Sequence, residues 1–227
     1  LGNTTNVGAG LVVVTNVYPI ANYWPTLTLS NASGAVTLTL EDPDTTIRSA
    51  SPVVYVATNG QHVTPCDTWT KAATNIQAAI DSSVSADGTN YALILVSNGV
   101  YSVGTQIQVN KALAVRSVNG PDVTVIKGPG VAGLYNRCFN ISDPLGVVDG
   151  FTITNGYTTE SGGGVYMTAG TLQNCKVVGN RTSGGSGDSR IYGGGGVSCS
   201  GNTGGRVRNC LVCNNIADGG QAANPGG

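Results

Sequence analysis

The sequence contains few charged residues, and this scarcity argues against whole classes of function. Only 10% of its 227 residues are charged, against about a quarter in an average soluble protein. The net charge is −1, and no run of Lys or Arg could follow a phosphate backbone, so we expect no nucleic-acid partner. The longest apolar stretches, residues 11–14 and 91–96, are far shorter than the roughly 20 residues of a membrane-spanning helix. We therefore expect no membrane-spanning segment.

Phe and Met are also scarce, whereas glycine is abundant. The chain has 2 Phe and 1 Met but 34 Gly, and 40% of its residues are hydrophobic, mostly Val, Leu, Ile and Ala. That apolar content is enough for a packed core, so the glycines do not indicate general disorder. Together with many small polar residues, they favour short strands joined by tight turns. The composition thus predicts an all-β protein.

The cysteines and sequons indicate where the protein acts. An even number of cysteines in a Lys-poor chain favours an oxidising compartment, and so an extracellular or cell-surface location; they are Cys66, Cys138, Cys175, Cys199, Cys210 and Cys213. Four Asn-X-Ser/Thr sequons would accept glycans if the source is eukaryotic, at Asn3, Asn31, Asn140 and Asn180. The first residue is Leu, which is typical of a processed or partial chain.

Residues 1–50 are predicted to form an extended N-terminal arm of β-strands. Thr and Leu alternate with period two in residues 26–30 and 36–40, and the turn-forming residues 31–34 separate them, which predicts a hairpin. An isolated hairpin is marginal in water, so its apolar face must be buried against another surface. We therefore predict that the apolar residues of the arm mediate assembly, namely Leu11, Val12, Val13, Val14, Leu27, Leu29, Leu38 and Leu40.

Residues 51–227 are predicted to form a solenoid of short strands, with a helix over about residues 68–84. The helix prediction rests on apolar residues at helical spacing from Trp69 to Val84, with Asp67 or Thr68 as the N-cap. Beyond it, strands follow one another at short spacing without a second helix.

The second half of the chain repeats itself. A Gly-Gly-Gly-Val motif begins at Gly162 and again 32 residues later at Gly194, and an Asn-Cys pair recurs after 35 residues. Such periods indicate a solenoid, and the short pieces leave no room for crossover helices, so we predict a parallel β-helix. In stacked coils, identical residues one repeat apart would lie above one another and form ladders. Three ladders are predicted: Gly164 with Gly196, Cys175 with Cys210, and Asn180 with Asn215.

Three segments carry a resemblance to a known family. Residues 75–81, 95–101 and 148–156 together resemble the pectate-lyase-like superfamily of right-handed β-helix proteins. The Gly-Gly-Gly-Val and Phe-Thr-Ile-Thr-Asn motifs are similar to repeats of polymorphic outer-membrane adhesins and other bacterial surface proteins. The resemblance implies a right-handed parallel β-helix whose N-terminal end is closed by an amphipathic cap helix. It does not imply an activity, because this fold hosts lyases, hydrolases, tailspikes and adhesins.

Candidate catalytic and metal sites are few. The carboxylates of the coils are widely separated in sequence, and stacking could bring Asp149 near Asp122 or Asp188 as an acid and base pair. The lone His62 is read as a loop residue. We expect no cofactor, although one acidic cluster is oxygen-rich enough for a weak Ca²⁺ site and otherwise forms a solvated turn: Glu41, Asp42 and Asp44.

The sulfur chemistry has its own alternatives. Cys175 and Cys210, as stacked neighbours, are predicted to form either a buried thiol ladder or a disulfide between coils. Cys210 and Cys213 have the spacing of a redox motif, but they fall on a predicted strand rather than at the start of a helix, where a thiolate would be stabilised.

Two function classes follow from the sequence. The first is a secreted or cell-surface structural or adhesive protein that assembles with itself, head to tail, through its N-terminal strands and an uncapped C-terminal coil. The second is a polysaccharide lyase, a hydrolase or a glycan-binding module that uses the long face of the coils. The corresponding partners are other copies of the chain or cell-surface glycans.

Overall fold

The computed structural model describes residues 3–6, 12–15, 26–31, 34–39, 53–83, 92–131, 133–183, 193–201 and 204–218. The chain divides into two units, residues 1–47 and 48–227. In the first unit, two pairs of strands run antiparallel: β1 (Asn3–Asn6) with β2 (Val12–Thr15), and β3 (Thr26–Asn31) with β4 (Gly34–Thr39). The β3–β4 pair lies where the sequence predicts a hairpin, and Leu27 lies opposite Leu38 in it.

The second unit consists of short strands and one short helix. Its elements begin with β5 (Val53–Val56), α1 (Ile76–Ser82), β6 (Ala92–Val96), β7 (Gly99–Ser102), β8 (Ile107–Val109), β9 (Leu113–Ser117), β10 (Thr124–Lys127) and β11 (Phe139–Ile141). They continue with β12 (Val147–Asp149), β13 (Thr152–Thr154), β14 (Tyr157–Thr158), β15 (Val165–Met167), β16 (Thr171–Gln173), β17 (Lys176–Val178), β18 (Arg181–Ser183), β19 (Val197–Cys199), β20 (Arg206–Arg208), β21 (Leu211–Cys213) and β22 (Ile216–Asp218).

The strands of this unit form four stacked parallel sheets. The first sheet has the order β5-β6-β9-β12-β16-β20, and the second has the order β7-β10-β13-β17-β21. The third has the order β8-β11-β15-β19, and the fourth is β14-β18-β22. From β6 onward, strands that follow each other in sequence therefore belong to different sheets, and each pairs in parallel with its counterpart one coil away. This all-β architecture is compatible with the predicted parallel β-helix.

Apolar side chains stack in register inside the coils. In the first sheet Ile94, Val115, Val148 and Leu172 occupy equivalent positions on successive strands, and each is 0% exposed. Ile126, Ile153 and Val177 form an equivalent column in the second sheet; each is also fully buried. Burying one such side chain contributes about 1.5–3 kcal/mol, so aligned columns of this kind are a main source of stability.

The strands end at residues that tolerate a left-handed backbone. At the corner between the first and second sheets, Gly150, Asn174 and Asn209 have φ values of 82°, 53° and 46°. Asn adopts this conformation more readily than most other residues with a side chain, because its short amide side chain can form a hydrogen bond with the nearby backbone. The repeated Asn of the sequence therefore places a sharp bend at the same point of successive coils.

All three predicted ladders are confirmed by the register. Gly164 donates from its backbone nitrogen to the Gly196 carbonyl at 3.0 Å, and Leu211 donates to the Cys175 carbonyl at 2.9 Å, which aligns Cys210 with Cys175. The Asn180 Nδ2 atom lies 3.0 Å from Asn215 Oδ1. Identical residues one repeat apart thus lie above one another.

The predicted helix over residues 68–84 is too long, and its predicted N-cap is wrong. The helix begins at Ile76, and its N-cap is Asn75, whose Oδ1 accepts a hydrogen bond from the Ala78 backbone nitrogen at 2.8 Å. The segment before it turns instead, because Ala73 pairs with β5: Ala57 donates to the Ala73 carbonyl at 2.9 Å. Val84 lies outside the described residues.

Helix α1 packs on the edge strand of the third sheet. Its buried side chains are Ile76, Ala79 and Ile80. Gln77 Oε1 accepts a hydrogen bond from the Gln108 backbone nitrogen of β8 at 2.8 Å, and Lys111 Nζ donates to the Ile80 carbonyl at 3.0 Å. The helix therefore provides a hydrogen-bond acceptor for the Gln108 backbone nitrogen. Among the described residues, β8 has no neighbouring strand on that side.

The side chain of Asn180 cross-links three coils. Asn180 is 1% exposed, its Oδ1 accepts from the Gly156 nitrogen at 2.9 Å, and its Nδ2 donates to the Ile153 carbonyl at 2.9 Å. The same Nδ2 reaches Asn215 Oδ1 in the following coil. One amide thus satisfies backbone groups that would otherwise be buried without a partner.

We expect Asn180→Ala to lower the free energy of unfolding by about 1–3 kcal/mol, because it leaves buried backbone donors and acceptors unpaired. Asn98→Ala is the matched control, since Asn98 is an exposed residue whose Oδ1 bonds only the Asn119 amide, at 2.8 Å. The control should change stability by no more than about 0.5 kcal/mol. Urea denaturation followed by circular dichroism measures both, and equal effects of the two substitutions would contradict this role for Asn180.

Candidate functional site

The last described coil exposes positions that are buried in the coils before it. Val207 aligns with Leu172, and Val212 aligns with Val177. Leu172 and Val177 are 0% exposed, whereas Val207 is 42% and Val212 is 47% exposed. Strands β19, β20, β21 and β22 are each the last of their sheet among the described residues. We call the surface formed by these four strands the open coil end.

The open coil end combines two features that favour contact with further β-structure. Edge strands present backbone N–H and C=O groups that can pair with an added strand. Next to them lie the apolar side chains of Val207 and Val212, which would be buried by another layer. This surface is the candidate assembly site.

The residues predicted for assembly in the N-terminal arm are only partly described. Val12, Val13 and Val14 lie in β2, Leu27 and Leu29 lie in β3, and Leu38 lies in β4. Leu11 and Leu40 lie outside the described residues.

The coil carboxylates pair with cations and amides rather than with each other. Asp149 is 2% exposed, and Oδ2 accepts from Arg116 Nε at 2.9 Å and from Gln173 Nε2 at 3.2 Å. Its Oδ1 accepts from Asn174 Nδ2 at 2.7 Å. Asp122 pairs with Lys176 instead. Asp149 and Asp122 are thus each held by a cation of another coil, and Asp188 lies outside the described residues. The pairing of Asp149 with either of them as acid and base stays a prediction.

A further ion pair, which no sequence motif indicates, involves Arg137. Its guanidinium donates to Glu160 Oε2 at 2.7 Å and to Gln106 Oε1 at 3.2 Å, and it lies 5.0 Å from the centroid of the Tyr166 ring. These partners are 23, 31 and 29 residues away in sequence, so no local motif connects them. Only the stacking of coils brings the group together.

His62 has a local bonding role. Its Nδ1 accepts a hydrogen bond from the Thr74 backbone nitrogen at 3.3 Å and lies 2.9 Å from the Thr74 hydroxyl. Within the described part of the chain, no group of three or more His, Cys, Asp and Glu is arranged to hold a metal ion. The candidate Ca²⁺ ligands Glu41, Asp42 and Asp44 lie outside the described residues.

The sequons differ in accessibility. The Asn180 amide is buried and donates to the Ile153 carbonyl, so the folded chain offers no access for a glycan at that atom. Asn140 is half-buried in β11, between the aligned residues Gln108 and Tyr166. Asn3 and Asn31 lie in β1 and β3.

All six cysteines are free thiols, so the aligned pair of Cys175 and Cys210 is a thiol ladder in this structure. Burial raises the pKa of the Cys175 thiol well above its ordinary value, and the hydrogen bond with Cys210 raises it further. The hydrogen bond with Cys175 lowers the pKa of Cys210 to about 7. The two thiols therefore differ in both access and acidity.

Two surface grooves combine aromatic rings with polar side chains. The first, of about 410 Å³, is lined by Ala57, Asn59, Gln61, Trp69, Thr70 and Ser97. In this Trp69 groove the indole is 44% exposed and packs edge-on against the Tyr55 ring, with 4.5 Å between centroids. The second, of about 290 Å³, includes Tyr157, Arg181, Asn155 and Asn214.

No helix of the described residues is long and apolar enough to cross a membrane.

We expect Asp149→Ala to destabilise the protein strongly, by about 3–5 kcal/mol, because it leaves the buried Arg116 guanidinium without its carboxylate. Asp122→Ala is the control, since the Asp122 side chain is 77% exposed and its ion pair with Lys176 should be worth no more than about 1 kcal/mol. Thermal and urea unfolding of both variants tests this. A loss of stability for Asp149→Ala as small as that of the control would show that the buried pair is not structurally important.

In comparisons with known proteins, no family model matches this chain, and neither a curated protein nor a solved structure matches it. The resemblance to β-helix proteins therefore rests on the motifs and on the stacked parallel sheets described above.

Proposed function

We propose that this chain is a right-handed parallel β-helix protein that acts outside the cell or on its surface as a structural or adhesive element. We further propose that copies associate head to tail. The observation that carries this proposal is the exposure of Val207 and Val212 at the open coil end, where the aligned Leu172 and Val177 are fully buried. The support for an extracellular setting is the even number of cysteines in a Lys-poor sequence, and all six are free thiols in this structure.

The open coil end is proposed to receive the N-terminal arm of a second copy. Direct stacking of one coil on another is disfavoured, because α1 covers β8 and Ala73 pairs with β5 at the other end of the sheets. The arm offers strands that alternate Thr with Leu, and strand addition to a free edge is a common mode of association. A contact that joins two different surfaces of the same chain propagates into a filament.

Charge placed at the open coil end should prevent assembly. We expect Val212→Lys to convert filaments or large oligomers of the native chain into monomers, because the ammonium group would be desolvated in the contact. Leu145→Lys is the matched control, since Leu145 is 44% exposed in the turn after β11 and should leave assembly unchanged. Sedimentation velocity and negative-stain electron microscopy give the readout, and circular dichroism checks that each variant folds.

A third variant tests the donor. Leu27→Lys combined with Leu38→Lys should also abolish assembly, because these residues lie opposite each other in the proposed arm. A native chain that stays monomeric at high concentration would overturn the proposed assembly, as would equal loss of assembly in the Leu145→Lys control.

A second candidate function is glycan binding, which the Trp69 groove favours. A half-exposed indole offers a flat apolar face to a sugar ring, and the surrounding Asn59, Gln61 and Thr70 offer polar groups for its hydroxyls. The lining residues include no charged side chain, which favours a neutral saccharide over a uronate.

We expect Trp69→Ala to weaken binding of neutral oligosaccharides by about 10-fold to 100-fold, since truncating an aromatic anchor typically removes about 2 kcal/mol or more. Tyr135→Ala is the control, because Tyr135 is a similarly exposed aromatic residue, at 47%, that does not line this groove. A glycan array followed by isothermal titration calorimetry measures both variants. Binding that is absent in the native chain, or unchanged in Trp69→Ala, would exclude this groove as a glycan site.

A further inference from the structure

Cys175 and Cys210 occupy the same position on neighbouring coils. Each directly follows a left-handed Asn at the corner between the first and second sheets, Asn174 in one coil and Asn209 in the next. The backbone pairs there, because Leu211 donates to the Cys175 carbonyl at 2.9 Å. Two thiols are therefore held side by side by the register of the sheets rather than by flexible loops.

The two thiols have different environments. Cys175 is 1% exposed, and its Sγ lies 3.1 Å from the Gln173 carbonyl and 3.4 Å from the Phe151 nitrogen. Cys210 is only partly buried, and its Sγ lies 3.1 Å from the Arg208 carbonyl. A reagent in solution can therefore reach Cys210, whereas Cys175 is sheltered directly beside it.

The difference in acidity favours the same division of roles. The hydrogen bond with Cys175 lowers the pKa of Cys210 to about 7, so more of this thiol is ionised at neutral pH than of a thiol with the ordinary pKa. Burial keeps the proton on Cys175 by raising its pKa. The accessible Cys210 sulfur is thus the better nucleophile, and the protonated Cys175 thiol donates a hydrogen bond to it.

We propose that Cys175 and Cys210 are a redox modification site that forms a reversible disulfide between neighbouring coils on reaction with a low-molecular-weight disulfide. The Cys210 thiolate attacks one sulfur of that reagent, forms a mixed disulfide and releases one thiolate. Cys175 then loses its proton and attacks Cys210 Sγ, and the second thiolate leaves and takes up the proton. The two cysteines are oxidised, and the reagent is reduced to two thiols.

The strand geometry favours this pairing over the others available to Cys210. Neighbouring parallel strands are about 4.8 Å apart, within the range of about 4.4–6.8 Å between Cα atoms that a disulfide needs. Cys213 lies three residues along an extended strand, which separates the two Cα atoms by about 10 Å, too far for a bond. In the register, Cys213 aligns with Val178 and Cys199 aligns with Met167, so neither faces another cysteine.

The pairing is tested on the full chain with oxidised glutathione at neutral pH. After free thiols are blocked with iodoacetamide, proteolysis without reduction and mass spectrometry should reveal a peptide that joins Cys175 to Cys210 and disappears on treatment with dithiothreitol. Cys210→Ser should remove this peptide, and Cys213→Ser, the matched control, should leave it. A stable glutathione adduct on Cys210 without the internal link, or a link between Cys210 and Cys213, would overturn the proposal.

A second measurement reports on the structure rather than on chemistry alone. In the oxidised protein, hydrogen exchange at the Leu211 amide should slow by at least about tenfold, because the crosslink suppresses separation of the two coils. The rate of alkylation at Cys210 in the reduced protein should reach half its maximum near pH 7. Unchanged exchange in a fully oxidised sample would contradict the proposed link between coils. Both measurements are made on protein diluted to monomers, because assembly at the open coil end would also cover Cys210.

Discussion

The structure depends on the in-register stacking of parallel coils. Each inward position is buried by the equivalent position of the coil above and the coil below, as in the column of Ile94, Val115 and Val148. The same rule governs polar residues. An inward amide such as Asn180 is tolerated because neighbouring coils supply the Gly156 nitrogen and the Asn215 amide as partners. A substitution in one coil therefore also changes the packing or hydrogen bonding of the neighbouring coils.

This constraint decides what the sequence could predict. The ladders of Gly164, Cys175 and Asn180 were predictable because identical residues recur one repeat later, and identical residues in register must lie together. The Arg116–Asp149 and Arg137–Tyr166 contacts were not, because their partners differ in kind and are 33 and 29 residues apart, while the repeats vary in length. Where coil length varies, spacing alone does not identify which side chains meet.

The misplaced helix start has a similar cause. Residues 68–75 carry apolar residues at helical spacing, and that local pattern predicts a longer helix than the seven residues observed. The pairing of Ala73 with β5 requires an extended backbone at that point, and it supplies hydrogen bonds at 2.8 and 2.9 Å to the edge of the first sheet. The pairing of Ala73 with the sheet outweighs the local helical pattern, so the helix begins only at Ile76, with Asn75 as its N-cap.

The two ends of the coil stack differ in whether their edge strands have partners among the described residues. At one end the edges of the first and third sheets already have partners, Ala73 for β5 and Gln77 for β8. At the other, Val207 and Val212 remain half-exposed in the last described coil, and Cys210 holds a thiol of lowered pKa beside a buried one. Strands with no further strand beside them among the described residues, exposed apolar side chains and an accessible thiol thus occur together in that coil. Because interior columns gain stability when a further layer covers them, association at this end would stabilise the last described coil by burying Val207 and Val212.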